Sequence, residues 1–492
     1  MKQKFDTGSI STLGQLKKSG YKSVTIREEM RNNLISMLKH GKTPFEGILG
    51  FEDTVLPDME RAILSGHNIL LLGLRGQAKT RMARQMINLL DEYIPVVKGS
   101  ELNDDPLAPL SRFAIDLIAS SGDETPITWM HRSERYVEKL ATADVSVADL
   151  IGDVDPIKAA SLKLPYSDER VIHFGLIPRS HRSIFVINEL PDLQARIQVS
   201  LFNILQEKDI QIRGFKLRLP LDISFVFTAN PEDYTNRGSI ITPLKDRIES
   251  QILTHYPKKL ETAMAITAQE AAIHEITKKS VKVPQLHREL IELISFNARE
   301  SEYVDAKSGV SARLGISALE NLYSTAERRI LINGEKETTT RITDFWGIIP
   351  AITGKVELVY EGEQEGHQNV ALSLIMKSCK ELFLQHFPDP GRKLRKEARD
   401  EYGVIKAWFS GGNDMDLLVD DSDTSYEQKL EKVAGLSKLA AEYAREGFPL
   451  LQMMELVVFG LSESEVITKN VLENRMNFTD PLSGMFDDMG NN

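Results

Sequence analysis

With 492 residues the chain is too long for one ordinary domain and long enough to bury a large core; length alone suggests about three domains. Hydrophobic residues at 41% and charged residues at 27%, with no run near the roughly 20 apolar residues of a membrane span, describe a soluble globular protein. A net charge of −11 argues against a chain whose main business is gripping nucleic acid, and a single cysteine, Cys379, excludes an internal disulfide framework and a cysteine-rich zinc site.

The opening Met1-Lys2-Gln3-Lys4-Phe5-Asp6 is polar and lacks an apolar signal core, from which a cytoplasmic location is expected. Residues 1–45 read as a polar lead with a helix over Ile26 to Leu38, ended by His40-Gly41. A folded unit begins near Phe45. From there to about Pro257 three apolar runs each stop at a polar cluster: Ile69 to Leu72 before Gly73, Ile184 to Ile187 before Asn188-Glu189, and Ile223 to Phe227 before Thr228-Ala229-Asn230. Near-continuous Val, Ile, Leu and Phe runs suit strands buried on both faces of a parallel sheet, so an α/β fold is expected, with its ligand beyond the carboxyl ends of the strands. Between the second and third runs, Asp209 to Leu219 alternates apolar with polar residues around Gly214 and reads as a hairpin. The pattern turns helical from Lys258 to about Asn333, expected as a helical lid over 258–350. Residues 351–492 follow as a helical extension with an acidic stretch and a polar tail. Cys379 lies in a helical segment and suits a buried small hydrophobe.

The most informative stretch is Gly73-Leu74-Arg75-Gly76-Gln77-Ala78-Lys79-Thr80, launched from a buried-type strand and followed by helical spacing at Met82, Met86, Ile87 and Leu90. A nucleotide triphosphate needs a tight turn whose N–H groups converge on phosphate, a lysine for the terminal phosphates and a hydroxyl for Mg²⁺. Gly73, Arg75, Gly76, Gln77, Ala78, Lys79, Thr80 and Arg81 are therefore the expected nucleotide site. Glu189, at the end of a buried strand, is a candidate general base, or else the N-cap of a following helix. Asn230 can hold a water against a phosphate oxygen, or merely occupy a turn before Pro231. Arg247 and Arg313 are cations of the type that phosphoryl transfer demands, although an isolated arginine more often makes a surface ion pair. On the hairpin, Arg213, Phe215, Lys216 and Arg218 suit a nucleic acid, a pore or a solvated face. The run Asp414, Asp416, Asp420, Asp421 and Asp423 reads as a solvated acidic loop, since its spacing is not that of an EF-hand. The ten histidines, His67 among them, show no metal-ligand pairing.

Taken together these clusters resemble the AAA+ ATPases, in the branch of the magnesium chelatase ATPase subunit and the MoxR-like proteins, over about residues 46–330. Ile48-Leu49-Gly50 resembles the Ile/Val-x-Gly that lines the adenine pocket. Ala148 to Asp155 resembles "R-L-x-G-x-x-D", and Phe174-Gly175-Leu176-Ile177 the "P-G-L-L" element. Asn230-Pro231-Glu232-Asp233, followed by Pro243-Leu244-Lys245-Asp246-Arg247-Ile248, is similar to "N-P-E-E … L-L-D-R-F", and Ser311-Ala312-Arg313 to the "S-x-R" of the second sensor. The resemblance implies ATP and Mg²⁺ as cofactors, with Ile48 and Gly50 at the adenine and Thr80 and Asn188 at the metal. It implies Glu189 and Asn230 in catalysis, Arg247 reaching a neighbouring subunit's site and Arg313 acting within its own. A homo-oligomeric ring, most simply a hexamer, and a partner with a von Willebrand factor A domain follow from the same resemblance, with remodelling or metal loading of that partner as the task. Residues 351–492 exceed the compact chelatase motor and favour a chaperone-like role. Two departures stand out: Asn188 replaces the family's aspartate and Ala78 a loop glycine. They predict slow hydrolysis and motivate a rival, a nucleotide-dependent scaffold without turnover; a nucleic-acid motor is the weaker alternative.

Overall fold

The computed structural model describes residues 7–165, 168–207, 209, 210, 212, 219–231, 239–391, 400–472 and 475–480. The chain divides into two compact units, Met1–His255 and Tyr256–Asn492.

The first unit is built on a five-stranded sheet: β1 (Ile69–Leu72), β2 (Tyr136–Leu140), β3 (Ser183–Asn188), β4 (Ile223–Ala229) and β5 (Ser250–Leu253). Its order is β5-β1-β4-β3-β2 and every pairing is parallel. The α/β parallel architecture expected from the apolar runs is the one found. Period-two alternation sends successive residues to opposite faces. Leu70, Phe185, Ile187, Phe225 and Phe227 enter one core, while Ile69, Leu71, Ile184, Val186 and Val226 enter another. The register aligns Leu72 with Ala229 and Phe227 with Ile187, so that Gly73, Asn230 and Glu189 leave the sheet at one edge.

The N-terminal lead is part of this unit. Its helix α1 (Ile26–Lys39) starts with a capping box, the Thr25 hydroxyl accepting from the Glu28 N–H and the Glu28 carboxylate receiving the Thr25 N–H. Ile26, Met30 and Leu34 join the second core beside Phe45, Met59 and Met86. On the same buried face Glu29 forms a two-pronged ion pair with Arg135, both distances 2.7 Å. Asp209-Ile210 and Leu219-Pro220 pair antiparallel, the two ends of the expected hairpin; Arg213, Phe215, Lys216 and Arg218 lie outside the described residues.

In the second unit α3 (Gln285–Glu300), α4 (Arg313–Asn333), α5 (His367–His386) and α6 (Leu450–Glu463) enclose one core. Leu290, Leu322, Phe383 and Phe459 all belong to it. The segments expected as lid and as extension thus share a single core. A three-stranded antiparallel sheet, with Met415–Leu418 and Thr468–Leu472 flanking Arg475–Thr479, adds Leu417, Met476 and Phe478. At Gly460 of α6 an added Cβ would stand 2.1 Å from the Phe383 ring, so only glycine lets these two helices approach this closely. Cys379 is buried in α5, as expected, and burial pushes its thiol well up.

The acidic stretch is a solvated loop only in part: Asp414 is exposed and Asp416, Asp420 and Asp423 are half-exposed, yet Asp423 also pairs with Arg329 at 2.6 Å and with Arg341, whose side chains are each 1% exposed. Asp421 pairs with Lys429 at 2.5 Å and Asp420 with Arg328 at 2.7 Å. Two buried cations require nearby counter-charge, a need invisible in the local composition. Among the described residues no cluster of His, Cys, Asp and Glu is arranged to hold a metal ion, and no helix is long and apolar enough to cross a membrane.

Candidate functional site

The loop between β1 and helix α2 (Lys79–Gln85) is shaped by steric necessity at its first residue. The Gly73 N–H donates to the Ala229 carbonyl at 3.2 Å, while the Thr254 N–H reaches the Leu72 carbonyl at 2.9 Å and its hydroxyl donates to Gln77 Oε1 at 2.6 Å. A Cβ on Gly73 would lie 1.9 Å from Thr254 Oγ1 and 2.3 Å from Gln77 Oε1. The loop then turns through left-handed backbone at Gly76 (φ 74°) and Ala78 (φ 53°). The second is where a glycine would be free and alanine is strained, by about 1–2 kcal/mol. Lys79 is buried, and its ammonium donates to the Gly73 carbonyl, to the Leu74 carbonyl at 2.9 Å and to Asn230 Oδ1 at 2.6 Å. Thr80 follows in the first turn of α2.

Glu189 leaves β3 in left-handed backbone (φ 56°, ψ 50°), a conformation that costs a non-glycine residue and that clusters at functional sites. It holds the N-cap position of the short helix Leu190–Asp192, yet its side chain makes no capping bond. Its Oε2 instead accepts from Asn230 Nδ2 at 2.8 Å. Asn230 therefore bridges the loop lysine and the strand-end acid, using one end of its amide for each.

A second chain of bonds runs behind the first. The Glu189 N–H donates to Thr228 Oγ1 at 3.2 Å, and that hydroxyl donates to Asn188 Oδ1 at 3.1 Å. Asn188 Nδ2 donates to Glu138 Oε1 at 2.6 Å. Arg84 of α2 closes on the same carboxylate through Nε at 2.8 Å and Nη2 at 3.1 Å, and this charged hydrogen bond holds the Glu138 carboxyl below its usual range.

The remaining expected residues fall in different places. Arg75 is exposed at the tip of the loop and Arg81 half-buried at the head of α2. Ile48 is buried in the core that also receives Met82 and Ala83 of α2, and Gly50 takes a left-handed turn with its N–H on Glu52 Oε1 at 3.0 Å. Two side chains tie this segment to the region after the loop: Gln85 donates to the Glu46 carbonyl at 2.6 Å and Asn88 to the Pro44 carbonyl at 3.1 Å. Arg247 stays apart from the Lys79–Asn230–Glu189 chain. Its guanidinium lies over the Phe202 ring, 4.7 Å from the centroid, and donates to the Pro243 carbonyl and to Gln206. Arg313 belongs to the second unit, where it opens α4 exposed, as its sequence position suggests. Glu232 and Asp233 lie outside the described residues. His67 is a structural contact, its Nδ1 2.8 Å from the Ser250 hydroxyl.

Sequence reasoning missed Thr254, Glu138 and Arg84; it placed Thr228 in the polar cluster that ends its run but gave it no role between Asn188 and Glu189.

No family model matches the chain. Among solved structures, it is similar to a protein of Cytophaga hutchinsonii described as an ATPase, at 16% identity over 72% of this chain and 96% of the other, with a TM-score of 0.28. It is similar also to a chain of the magnesium chelatase complex between subunits BchI and BchD, at 19% identity over 65% and 98%, TM-score 0.33. NtrX from Brucella abortus in complex with ATP matches at 12% identity over 82% and 72%, TM-score 0.34. These are loose overlaps, and the site's chemistry follows from its own geometry.

Proposed function

We propose that this chain is an ATPase of the AAA+ type, in the MoxR and magnesium chelatase branch, that couples ATP hydrolysis to remodelling or metal loading of a partner protein. The observation that carries the reading is the bond sequence Lys79–Asn230–Glu189, which joins a buried ammonium, a neutral amide and a carboxylate across the ends of three strands adjacent in the sheet. The donor set suits a nucleoside triphosphate with Mg²⁺: turn backbone at Gly73 to Ala78, Lys79 for the terminal phosphates, and the Thr80 hydroxyl and Asn188 amide as the residues that would hold the metal. When bound, Mg²⁺ supplies neutralisation of phosphate charge.

In this reading the Lys79 ammonium exchanges the Gly73 and Leu74 carbonyls for phosphate oxygens. Glu189 accepts the proton of the attacking water, and Asn230 orients that water while keeping Glu189 in place. Arg247, which takes no part in the site of its own subunit, would act across a subunit interface, and Arg313 within its own subunit. Such a division of labour requires a homo-oligomeric ring, with a hexamer the family's form, and a von Willebrand factor A domain protein is the expected partner. A scaffold without turnover is the second reading. It is favoured by the two departures, the uncharged Asn188 at the end of β3 and Ala78 in left-handed backbone within the loop.

Two substitutions separate these readings. Lys79→Ala should abolish ATP binding in a nucleotide titration. Glu189→Gln should keep binding and lower steady phosphate release by a factor on the order of 10² or more. Wild-type affinity in the first variant would refute the site. A wild-type protein that binds ATP but releases no phosphate would leave the scaffold.

A further inference from the structure

Asn188 leaves the end of β3 uncharged, yet a carboxylate stands one strand away. Glu138 of β2 receives the Asn188 amide at 2.6 Å. It is gripped from the other side by Arg84, which lies four residues after Thr80 and so on the same side of α2. The Glu138 side chain is 22% exposed and that of Arg84 64%, which places the pair at the rim of the site.

We propose that Glu138 is an acidic positioning residue for the metal end of the nucleotide site, acting through Asn188 and balanced by Arg84. The inference rests on the MgATP reading above. The geometry explains why position 188 holds an amide. A carboxylate there would face the Glu138 carboxylate at hydrogen-bond distance, where two like charges repel; an amide donates instead. The residues at 138 and 188 are complementary, and the negative charge sits one strand outward.

Glu138 also fixes which way the amide points. Turning it over would set Oδ1 against the Glu138 carboxylate, so Nδ2 faces Glu138 and Oδ1 accepts from Thr228. The Thr228 hydroxyl, its proton committed to Asn188, is left to accept the Glu189 N–H at 3.2 Å and so supports the left-handed turn from which the Glu189 carboxylate projects. Through the Asn188 and Thr228 side chains Glu138 bears on the acid that the proposed chemistry uses.

The test is binding of a fluorescent ATP analogue to the full chain at stepped Mg²⁺ concentrations, with an EDTA baseline, for wild type, E138Q, N188D, the E138Q/N188D double variant and R84Q. E138Q should raise the Mg²⁺ concentration for half-maximal binding by about tenfold, a usual effect for a group one shell out from a metal, and leave the EDTA affinity unchanged. N188D alone should lower the melting temperature, because it sets two carboxylates together. The double variant should return both the melting temperature and the Mg²⁺ requirement towards wild type, since it moves the charge back to position 188. R84Q alters an exposed side chain and should fold; by removing the counter-ion it should lower the Mg²⁺ requirement. An unchanged requirement in E138Q, or a raised one in R84Q, overturns the proposal. If wild type binds the analogue without regard to Mg²⁺, or Lys79→Ala binds it as wild type does, the MgATP reading falls and the proposal with it.

Discussion

Gly73 and Ala78 are two small residues of one loop under opposite constraints. At Gly73 the limit is space: a methyl group would overlap the Thr254 hydroxyl and the Gln77 amide. At Ala78 the limit is backbone, since a left-handed turn is free to glycine and open to alanine only at a cost. Gly73→Ala should therefore destabilise the first unit by about 1–3 kcal/mol, the range of core overpacking, and weaken ATP binding by displacing the loop. Adding Thr254→Ala removes the atom met at 1.9 Å and should return part of both losses. Melting curves and nucleotide titrations on the single and double variants check this; strict additivity of the two substitutions would show that the clash is not the cause. The replacement of a loop glycine by Ala78 is legible in the sequence, but the left-handed angle that makes it a strain is set by the fold.

At the level of elements, the strands of the site were legible because each is a contiguous apolar run that ends in its own functional residue. Lys79, Glu189 and Asn230 could be picked out one at a time, and the parallel register then brings them together. Glu138 could not, because it lies mid-way along a half-buried strand and meets Asn188 from 50 residues away. Thr254 meets Gln77 across 177 residues. The packing of the lead was out of reach for a related reason: its polar sequence shows a helix, but Glu29 of α1 is buried against Arg135 across 106 residues. Removing one partner of such a pair leaves the other buried and uncompensated, at a cost of about 3–5 kcal/mol. Arg135→Met should thus lower the stability of the first unit by that much in chemical denaturation. Glu29→Leu in the same chain should recover part of the loss, the remainder reflecting the Asp91 N–H and the Arg182 carbonyl, which lose their bonds to this pair. A loss below about 1 kcal/mol in the single variant would mean that the pair behaves as a surface salt bridge.

For the molecule as a whole, two units with separate cores mean that stability has two origins, and the second unit carries a pH dependence of its own. Glu455 of α6 is fully buried; it accepts from the Ile342 N–H at 3.1 Å and from the Tyr426 hydroxyl. Burial is the main cause that pushes its carboxyl up from 4.5 to about 8, outweighing the hydrogen bond from Tyr426 and the charge of Arg341. In the unfolded chain the same carboxyl is solvated and gives up its proton near its ordinary value. Between these two values the folded state holds a proton that the unfolded state has released, so stability falls as pH rises. The contribution is complete below about 4.5 and is lost as pH rises through about 8. For one proton the slope approaches about 1.4 kcal/mol per pH unit within that window. Glu455→Gln keeps an acceptor oxygen for Ile342 and Tyr426 but has no proton to lose. The unfolding transition of the second unit should therefore drop from pH 5 to pH 8 in wild type and change less in Glu455→Gln, and the difference between the two curves isolates this carboxyl from the other buried acids, Asp344 among them. Parallel curves for the two proteins would place the pH dependence elsewhere.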